Sequence, residues 1–346
     1  MNATAPVVLA IDAMGGDHGL KTTVDAALLA LAEFSTLQLI LVGDERQILA
    51  ALKKRKAAAD ALARIAVQHA SEVVAMDEAP SKALRNKKDS SMRVAINLVR
   101  DGRAQAIVSA GNTGALMATA KFVLKTMPGI DRPAMISPIP SMNGHVHMLD
   151  LGANAECNAD QLFQFAVMGS ALLTATQGIA EPRVALLNIG EEEIKGNEVI
   201  KQCAQLLQTS KLNYVGFIEG DGVFLRDVDV VVCDGFTGNI ALKTGEGVAK
   251  LIYHFIKQEF TRSPLTKLAA LAAMPALKAL GKRMDPRNYN GASFVGVNGI
   301  VIKSHGSADA PAFVAAIRAA LREVENDVPT RIAHLLVDAL PQSAAA

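Results

Sequence analysis

The chain has 346 residues, half of them apolar, with 4% aromatic residues, no Trp and a formal net charge of +1. That length allows a large core, while the near-neutral charge and scarce aromatics exclude a basic nucleic-acid surface with stacking platforms. Cys157, Cys203 and Cys233 are odd in number, widely spaced and without CxxC or His-rich company, so neither a disulfide framework nor a metal site is expected and a reducing cytoplasm fits.

In chain order, the apolar run "VVLAID" (7–12) gives way to an acidic, glycine-rich turn, so it is too short for a signal-peptide core with a cleavage site. Val24, Ala27, Leu28, Leu31 and Phe34 then keep the spacing of one helix face. "LQLILV", "RIAVQ", "AQAIVS" and "HMLDLG" read as strands, followed by a second helix face at Leu162, Phe165, Ala166 and Gly169. "RVALLNIG", "LNYVGF" and "VDVVVCD" are further strands, and "GIVIKS" is the last. Between Val248 and Asn290 two helical stretches and no strand break the rhythm. No stretch supplies the roughly 20 consecutive apolar residues of a transmembrane helix. Strand–helix alternation predicts an α/β fold, a mainly parallel sheet with helices on both faces in a Rossmann-like three-layer arrangement. Residues 1–340 are expected to form one elaborated domain with a basic helical insertion at about 248–290, and 341–346 a frayed tail.

Polar, glycine-rich turns follow six of these strands: 12–19, 109–115, 150–156, 188–198, 233–239 and 304–309. In a parallel sheet this places them on one edge, where ligands bind. "VSAGNTGALMATA" (108–120) has the parts of an anion cradle, with Gly111 and Gly114 allowing close backbone approach, Asn112 and Thr113 between them, and a helix start aimed at the ligand. It lacks the Lys-Ser/Thr of a Walker A loop and the third glycine of a dinucleotide fingerprint. Asp12, Gly15, Gly16 and Asp17 open the first turn. The glycines suit a phosphate-bearing group, with Asp17 binding a hydroxyl, amide or ammonium; the alternative is an Asp N-cap on a helix starting near Leu20.

Lys195 and Asn197, in the otherwise acidic "EEEIKGNE", either complement a phosphate or oxyanion or belong to a solvated charge run. Asn112, Asn154 and Asn239 recur as Asn beside Gly or Ala at strand ends, suited to orienting a polar substrate without titrating, or to left-handed turn geometry. No GxSxG elbow is present, and Cys157 has no histidine fixed near it by sequence. With no protein nucleophile, the bound anion itself becomes the candidate.

"LAIDAMGGDHG", "SAGNTGALMA", "DLGANAECNADQLFQFAVMGS", "LLNIGEEEIKGNE", "VVCDGFTGNIALKTGEG" and "SHGSADAPAFVAAIRAA" resemble, in order and over residues 7 to 325, the bacterial phosphate acyltransferase family of phospholipid synthesis. The resemblance implies transfer of a long-chain acyl group from acyl-carrier protein to inorganic phosphate, giving acyl phosphate for a membrane glycerol-3-phosphate acyltransferase. It implies a fold similar to phosphotransacetylases and the isocitrate dehydrogenase-like group, a homodimer, and a cytoplasmic location peripherally associated with the inner face of the cell membrane. No cofactor, metal or nucleic acid is implied. Phosphate is already an oxygen nucleophile, so holding it in line supplies roughly 7–11 kcal/mol and one oxyanion donor roughly 3–4. On this basis Gly111 to Gly114 and Lys195 hold phosphate or its developing charge, Asn154 and Asn239 orient the thioester, and Asp12, Gly15, Gly16, Asp17, Asn197 and His305 line the site. An acyl-CoA-dependent phosphotransacetylase and a non-catalytic membrane-surface organiser are the alternatives.

From Lys250 to Asn288 eight basic residues stand against two acidic ones. Lys257, Arg262, Lys267, Lys278, Lys282 and Arg283 are available to an acidic carrier protein or an anionic membrane surface. Leu265, Leu268, Leu271 and Leu277 supply an apolar side. A helical hairpin in a dimer interface is the other reading. Pro264 suits a helix start, and Pro275 is expected to break or kink that helix, leaving two short pieces.

Overall fold

The computed structural model describes residues 6–283 and 285–339, so the tail expected at 341–346 lies outside the described residues. Its first half runs β1 (Val7–Asp12), α1 (Leu20–Glu33), β2 (Leu37–Gly43), α2 (Glu45–Lys54), α3 (Ala59–Leu62), β3 (Ile65–His69), α4 (Pro80–Asn86), α5 (Ser91–Arg100), β4 (Ala106–Ser109) and α6 (Thr113–Leu124). β5 (Ala134–Ser141) and β6 (Gly144–Leu149) lead into α7 (Ala159–Gln177), β7 (Val184–Leu187), α8 (Glu198–Thr209), β8 (Tyr214–Ile218), α9 (Gly222–Leu225) and β9 (Val230–Val232). The long helices α10 (Gly235–Thr261) and α11 (Pro264–Arg283) come next. A 3₁₀ turn (Pro286–Tyr289), β10 (Ala292–Val295), β11 (Ile300–Lys303), α12 (Ala310–Glu325) and α13 (Val328–Ala339) complete the order.

The strands form one 11-stranded sheet in the order β3-β2-β1-β4-β11-β10-β5-β6-β9-β7-β8. All nine strands read from the sequence are present. β5 and β10 are additional, and they decide the geometry. Pairing is antiparallel at β11–β10, β10–β5 and β5–β6 and parallel elsewhere. Three reversals leave β6, β9, β7 and β8 running opposite in ladder sense to β3, β2, β1, β4 and β11. The six glycine-rich turns therefore do not share one edge: they fall into two sets of three, each at the carboxyl ends of its own strand group.

β5 escapes a sequence reading because Pro138 and Pro140 argue against an interior strand. Met135 turns both its N–H and its carbonyl toward β6, donating to Asp150 and accepting from Leu151. By alternation Pro138 and Pro140 turn the opposite way, toward β10, whose pairing ends at Ile136, so their missing N–H groups deprive no ladder.

Helices cover both faces. Val24, Ala27 and Leu31 of α1 are buried, and α7 buries 15 of its 19 residues, including Leu162, Phe165, Ala166 and Gly169, as a helix enclosed nearly all round. A Cβ at Gly169 would lie 2.8 Å from both Leu149 and Val230, so glycine lets this helix rest on the sheet. The basic insertion differs from expectation at two points. Its first helix begins at Gly235, not near 248, because Asp234 caps it by accepting from the Thr237 amide at 2.8 Å. Pro275 sits inside α11 without ending it. Only Gly235 and Gly238 of α10, and no residue of α11, are buried.

Candidate active site

The first set of turns closes around Asp12, at the end of β1. Its carboxyl is 1% exposed and accepts 2.6 Å hydrogen bonds from the hydroxyls of Ser91 and Ser109. Burial pushes it above the ordinary carboxylate range, and those hydroxyls oppose the shift. A Cβ at Gly15 would lie 2.5 Å from the Asp12 carboxylate and 2.9 Å from the Gly111 amide. One at Gly16, whose φ is +89°, would lie 2.8 Å from Ala110. The Asp17 amide donates to Gly306 at 2.9 Å. These glycines let the turns 12–19, 109–115 and 304–309 interlock. The helix beginning at Leu20 is capped by Gly19, not by an aspartate, and Asp17 stays exposed.

Lys303, absent from the sequence reading, sits beneath this set. It is 7% exposed and donates to the carbonyls of Ala110 and Ser304, tying together the 109–115 and 304–309 turns. Burial lowers its pKa to about 8, against the pull of Asp12 and Asp17. Asn112 is fully engaged: Oδ1 caps α6 through the Ala115 amide at 3.0 Å, and Nδ2 donates to Met76 and Glu78 carbonyls at 2.8 and 2.9 Å. A Cβ at Gly114 would meet Pro80 at 2.7 Å, whereas the half-buried Thr113 hydroxyl makes no protein hydrogen bond among the described residues.

The second set is organised by Asp150, just past β6 and fully buried. Its carboxylate accepts from the amides of Met135, Ala153 and Asn154 and from Asn154 Nδ2 at 2.6 to 3.1 Å. Asn154 Nδ2 also donates to the Pro133 carbonyl at 2.8 Å. The start of α10 presses on this hub: a Cβ at Gly235 would lie 2.6 Å from the Asn154 carbonyl oxygen, and one at Gly238 1.9 Å from that of Asp150. Asn197 caps α8 through the Ile200 amide at 2.9 Å.

Two side chains in this set remain uncommitted. Asn239 is exposed beside Gly152, and its amide has no hydrogen-bond partner among the described residues. Lys195 is exposed, with its stem over Gly190 and no carboxylate within 4.0 Å among the described residues, although Glu191 to Glu193 precede it; Glu191 pairs instead with Arg226. The thiols are inert by comparison. Burial pushes Cys157 up to about 12, aided by Asp150 and Asp234, and burial also holds the Cys233 thiol well above its ordinary range.

α10 joins the two sets. Asn239, Lys243 and Glu246 are spaced i, i+4, i+7 and share one helix face. Lys243 holds Glu246 at 3.0 Å, and its charge lowers the pKa of both Lys303 and His305. The helix thus starts against the Asp150 hub and carries Lys243 about two turns further on.

The family model described as fatty acid synthesis protein matches residues 7–331. A phosphate acyltransferase of Methylococcus capsulatus is 60% identical over 331 residues, 95% of this chain and 97% of that relative, and one of Alkalilimnicola ehrlichii is 59% identical over 95% and 96%. This chain belongs to the fatty acid synthesis protein family. Its similarity to these relatives makes this family member an acyltransferase, and acyl transfer to phosphate is the chemistry that their name carries. Among solved structures, a phosphotransacetylase from Streptococcus pyogenes shares the fold with TM-score 0.63 at 16% identity, covering 92% of this chain and 94% of its own. A branched-chain phosphotransacylase from Enterococcus faecalis V583 gives 0.55 at 15%, covering 92% and 99%. The family's architecture is accordingly the phosphotransacetylase type that the motifs implied.

In the family member described here the hairpin leaves Lys257, Arg262, Lys267, Lys278, Lys282 and Arg283 exposed. Leu265, Leu268 and Leu271 are 77%, 63% and 66% exposed, and Leu277 is half-buried. Among the described residues no helix is long and apolar enough to cross a membrane.

Proposed function

We propose that this acyltransferase moves a long-chain acyl group from acyl-carrier protein to inorganic phosphate, giving acyl phosphate for a membrane glycerol-3-phosphate acyltransferase. The observation that carries the reading is the contrast at the second set: Lys195 and Asn239 stand free to meet a ligand while the nearby thiols stay protonated. A phosphate oxygen attacks the thioester carbonyl carbon. The tetrahedral oxyanion collapses, the C–S bond breaks, and the carrier thiol leaves with the electron pair and takes up a proton. Lys195 offsets the developing negative charge and Asn239 donates to the carbonyl oxygen. Asn154 acts through Asp150 to fix where α10 begins, and hence where Asn239 lies. The interlocked first set, with Asp12, Gly15, Gly16 and the half-buried Thr113, is the second group of candidate substrate contacts.

We place the whole of 1–340 in one domain, working as a homodimer whose exposed hairpin meets the carrier protein and the anionic inner surface of the cell membrane. The decisive assay follows thioester consumption with and without phosphate, using acyl-carrier protein and then CoA donors. Phosphate-dependent consumption of the carrier-protein thioester, trapped as a hydroxamate by hydroxylamine and retained in Cys157→Ser, is expected. A stable acyl-cysteine adduct on the pathway refutes direct attack, and equal use of CoA thioesters favours a phosphotransacetylase.

A further inference from the structure

Strand register sets three polar side chains in one row across the sheet. β1 and β4 run parallel with Ile11 beside Val108, which brings Asp12 beside Ser109, and β4 and β11 run parallel with Ser109 beside Lys303. In-register neighbours point to the same face, so a carboxyl, a hydroxyl and an ammonium stand at the carboxyl ends of three adjacent strands. Ser109 joins the row to the turn above it. Its hydroxyl donates to Asp12 at 2.6 Å and accepts from the Gly111 amide at 3.0 Å, and its carbonyl accepts from the Ser304 amide at 2.9 Å. Lys303 closes the other side, donating to the Ala110 carbonyl at 3.3 Å and to that of Ser304.

Two carbonyls need only a neutral donor to bridge them, whereas a buried ammonium is costly without an anion beside it. Among the described residues no carboxylate lies within 4.0 Å of Lys303 Nζ. Asp12 is taken by Ser91 and Ser109, Glu323 of α12 accepts from Ser293, and Arg287 of the 3₁₀ turn pairs with Asp285 and Asp309. Burial lowers the Lys303 pKa to about 8. Asp12 and Asp17 oppose the fall, Lys243 of α10 adds to it, and His305, two residues on, is itself lowered mainly by burial. At neutral pH the ammonium is thus a positive charge held under the 109–115 turn. Deprotonation leaves it two N–H groups, enough for both carbonyls, so rising pH removes the charge and spares the tie.

We propose that Lys303 is a positioning residue for acyl transfer: its positive charge, pinned to the Ala110 and Ser304 carbonyls, holds the 109–115 turn in the shape that receives inorganic phosphate. The inference rests on the reading of the chain as a thioester:phosphate acyltransferase. Lys303 does not touch the reactant in this role. It acts through Ala110, the neighbour of Gly111, and through the field of a buried cation beneath an anion.

The test compares full-length wild type, Lys303→Met and Lys303→Arg, with kcat and the KM values for inorganic phosphate and acyl-carrier protein measured from about pH 6.5 to about 9.5. Lys303→Met is expected to raise the phosphate KM by about ten-fold, with the carrier KM within about two-fold and kcat within a few-fold, and Lys303→Arg to recover most of the loss. Wild-type kcat/KM for phosphate should fall above about pH 8. That limb should be absent in Lys303→Met and move to higher pH in Lys303→Arg, because a guanidinium keeps its charge there. A lysine that only props the turns lowers the melting temperature and leaves the limb and the phosphate KM unchanged, and that result overturns the proposal. So does a wild-type limb that Lys303→Arg leaves in place. Should Lys303→Met fail to fold, the wild-type and Lys303→Arg profiles carry the test. Wild-type protein that consumes no thioester with phosphate overturns the parent reading instead. Calorimetric titration of inorganic phosphate then decides the role of Lys303: affinity about ten-fold weaker in Lys303→Met sustains it, and equal affinity removes it.

Discussion

Asp150 and Asn154 hold each other in place: the buried carboxylate accepts from the Asn154 amide at 2.6 Å and from its side chain at 2.9 Å, and the same side chain reaches Pro133. Asn239, four residues into α10, has no such partners among the described residues. The two asparagines look alike in sequence and should respond differently to truncation. Asn154→Ala leaves buried acceptors short of donors and is expected to lower stability by about 1–3 kcal/mol. Asn239→Ala should leave the melting temperature nearly unchanged while turnover falls by about 10²-fold or more. Thermal melts and turnover of both variants check this. Wild-type turnover in Asn239→Ala would remove that residue from the mechanism.

Among the described residues Lys195 has no ion-pair partner to lose, so Lys195→Met should melt with wild type. A transition-state role then shows as turnover reduced by about 10²-fold at saturating phosphate. Turnover restored by excess phosphate would restrict the lysine to ground-state binding.

Glu323 on α12 is buried with one hydrogen bond, from Ser293 at 3.1 Å, and burial raises its pKa from 4.5 to about 8. Between those values the folded state holds a proton that the unfolded state has released. Stability should therefore fall as pH rises through this window, by up to about 1.4 kcal/mol per pH unit. His147, lowered from 6.5 to about 3 by burial, acts in the opposite sense below pH 6.5, so the clean interval is 6.5 to 8. Urea midpoints across that interval should decline in wild type and flatten in Glu323→Gln. Parallel curves for the two proteins would contradict the assignment.

Leu268 is 63% exposed on α11 among basic residues. If the hairpin meets an anionic bilayer, Leu268→Glu abolishes cosedimentation with anionic vesicles while solution activity and oligomeric state persist. Wild-type binding should weaken as salt rises. Conversion to monomers or insoluble protein would instead assign the residue to an interface between subunits.

The strand–helix alternation, the helix faces of α1 and α7, and the turns where chemistry gathers are all written in the chain's local pattern. Each rests on residue period or on turn chemistry within a few positions. How those turns are grouped is a matter of tertiary packing. The reversal of the sheet depends on β5 and β10, one disguised by Pro138 and Pro140 and the other a half-polar Ala-Ser-Phe-Val run between Gly291 and Gly296, so neither gives a usable apolar signal. Packing also separated lookalikes: Asn112 and Asn197 cap helices, Asn154 serves a buried carboxylate, and Asn239 is free, because hydrogen-bond partners distant in sequence are fixed only once the chain packs. Lys303 shows the same limit: it is an ordinary strand-end lysine until burial and two carbonyls surround it.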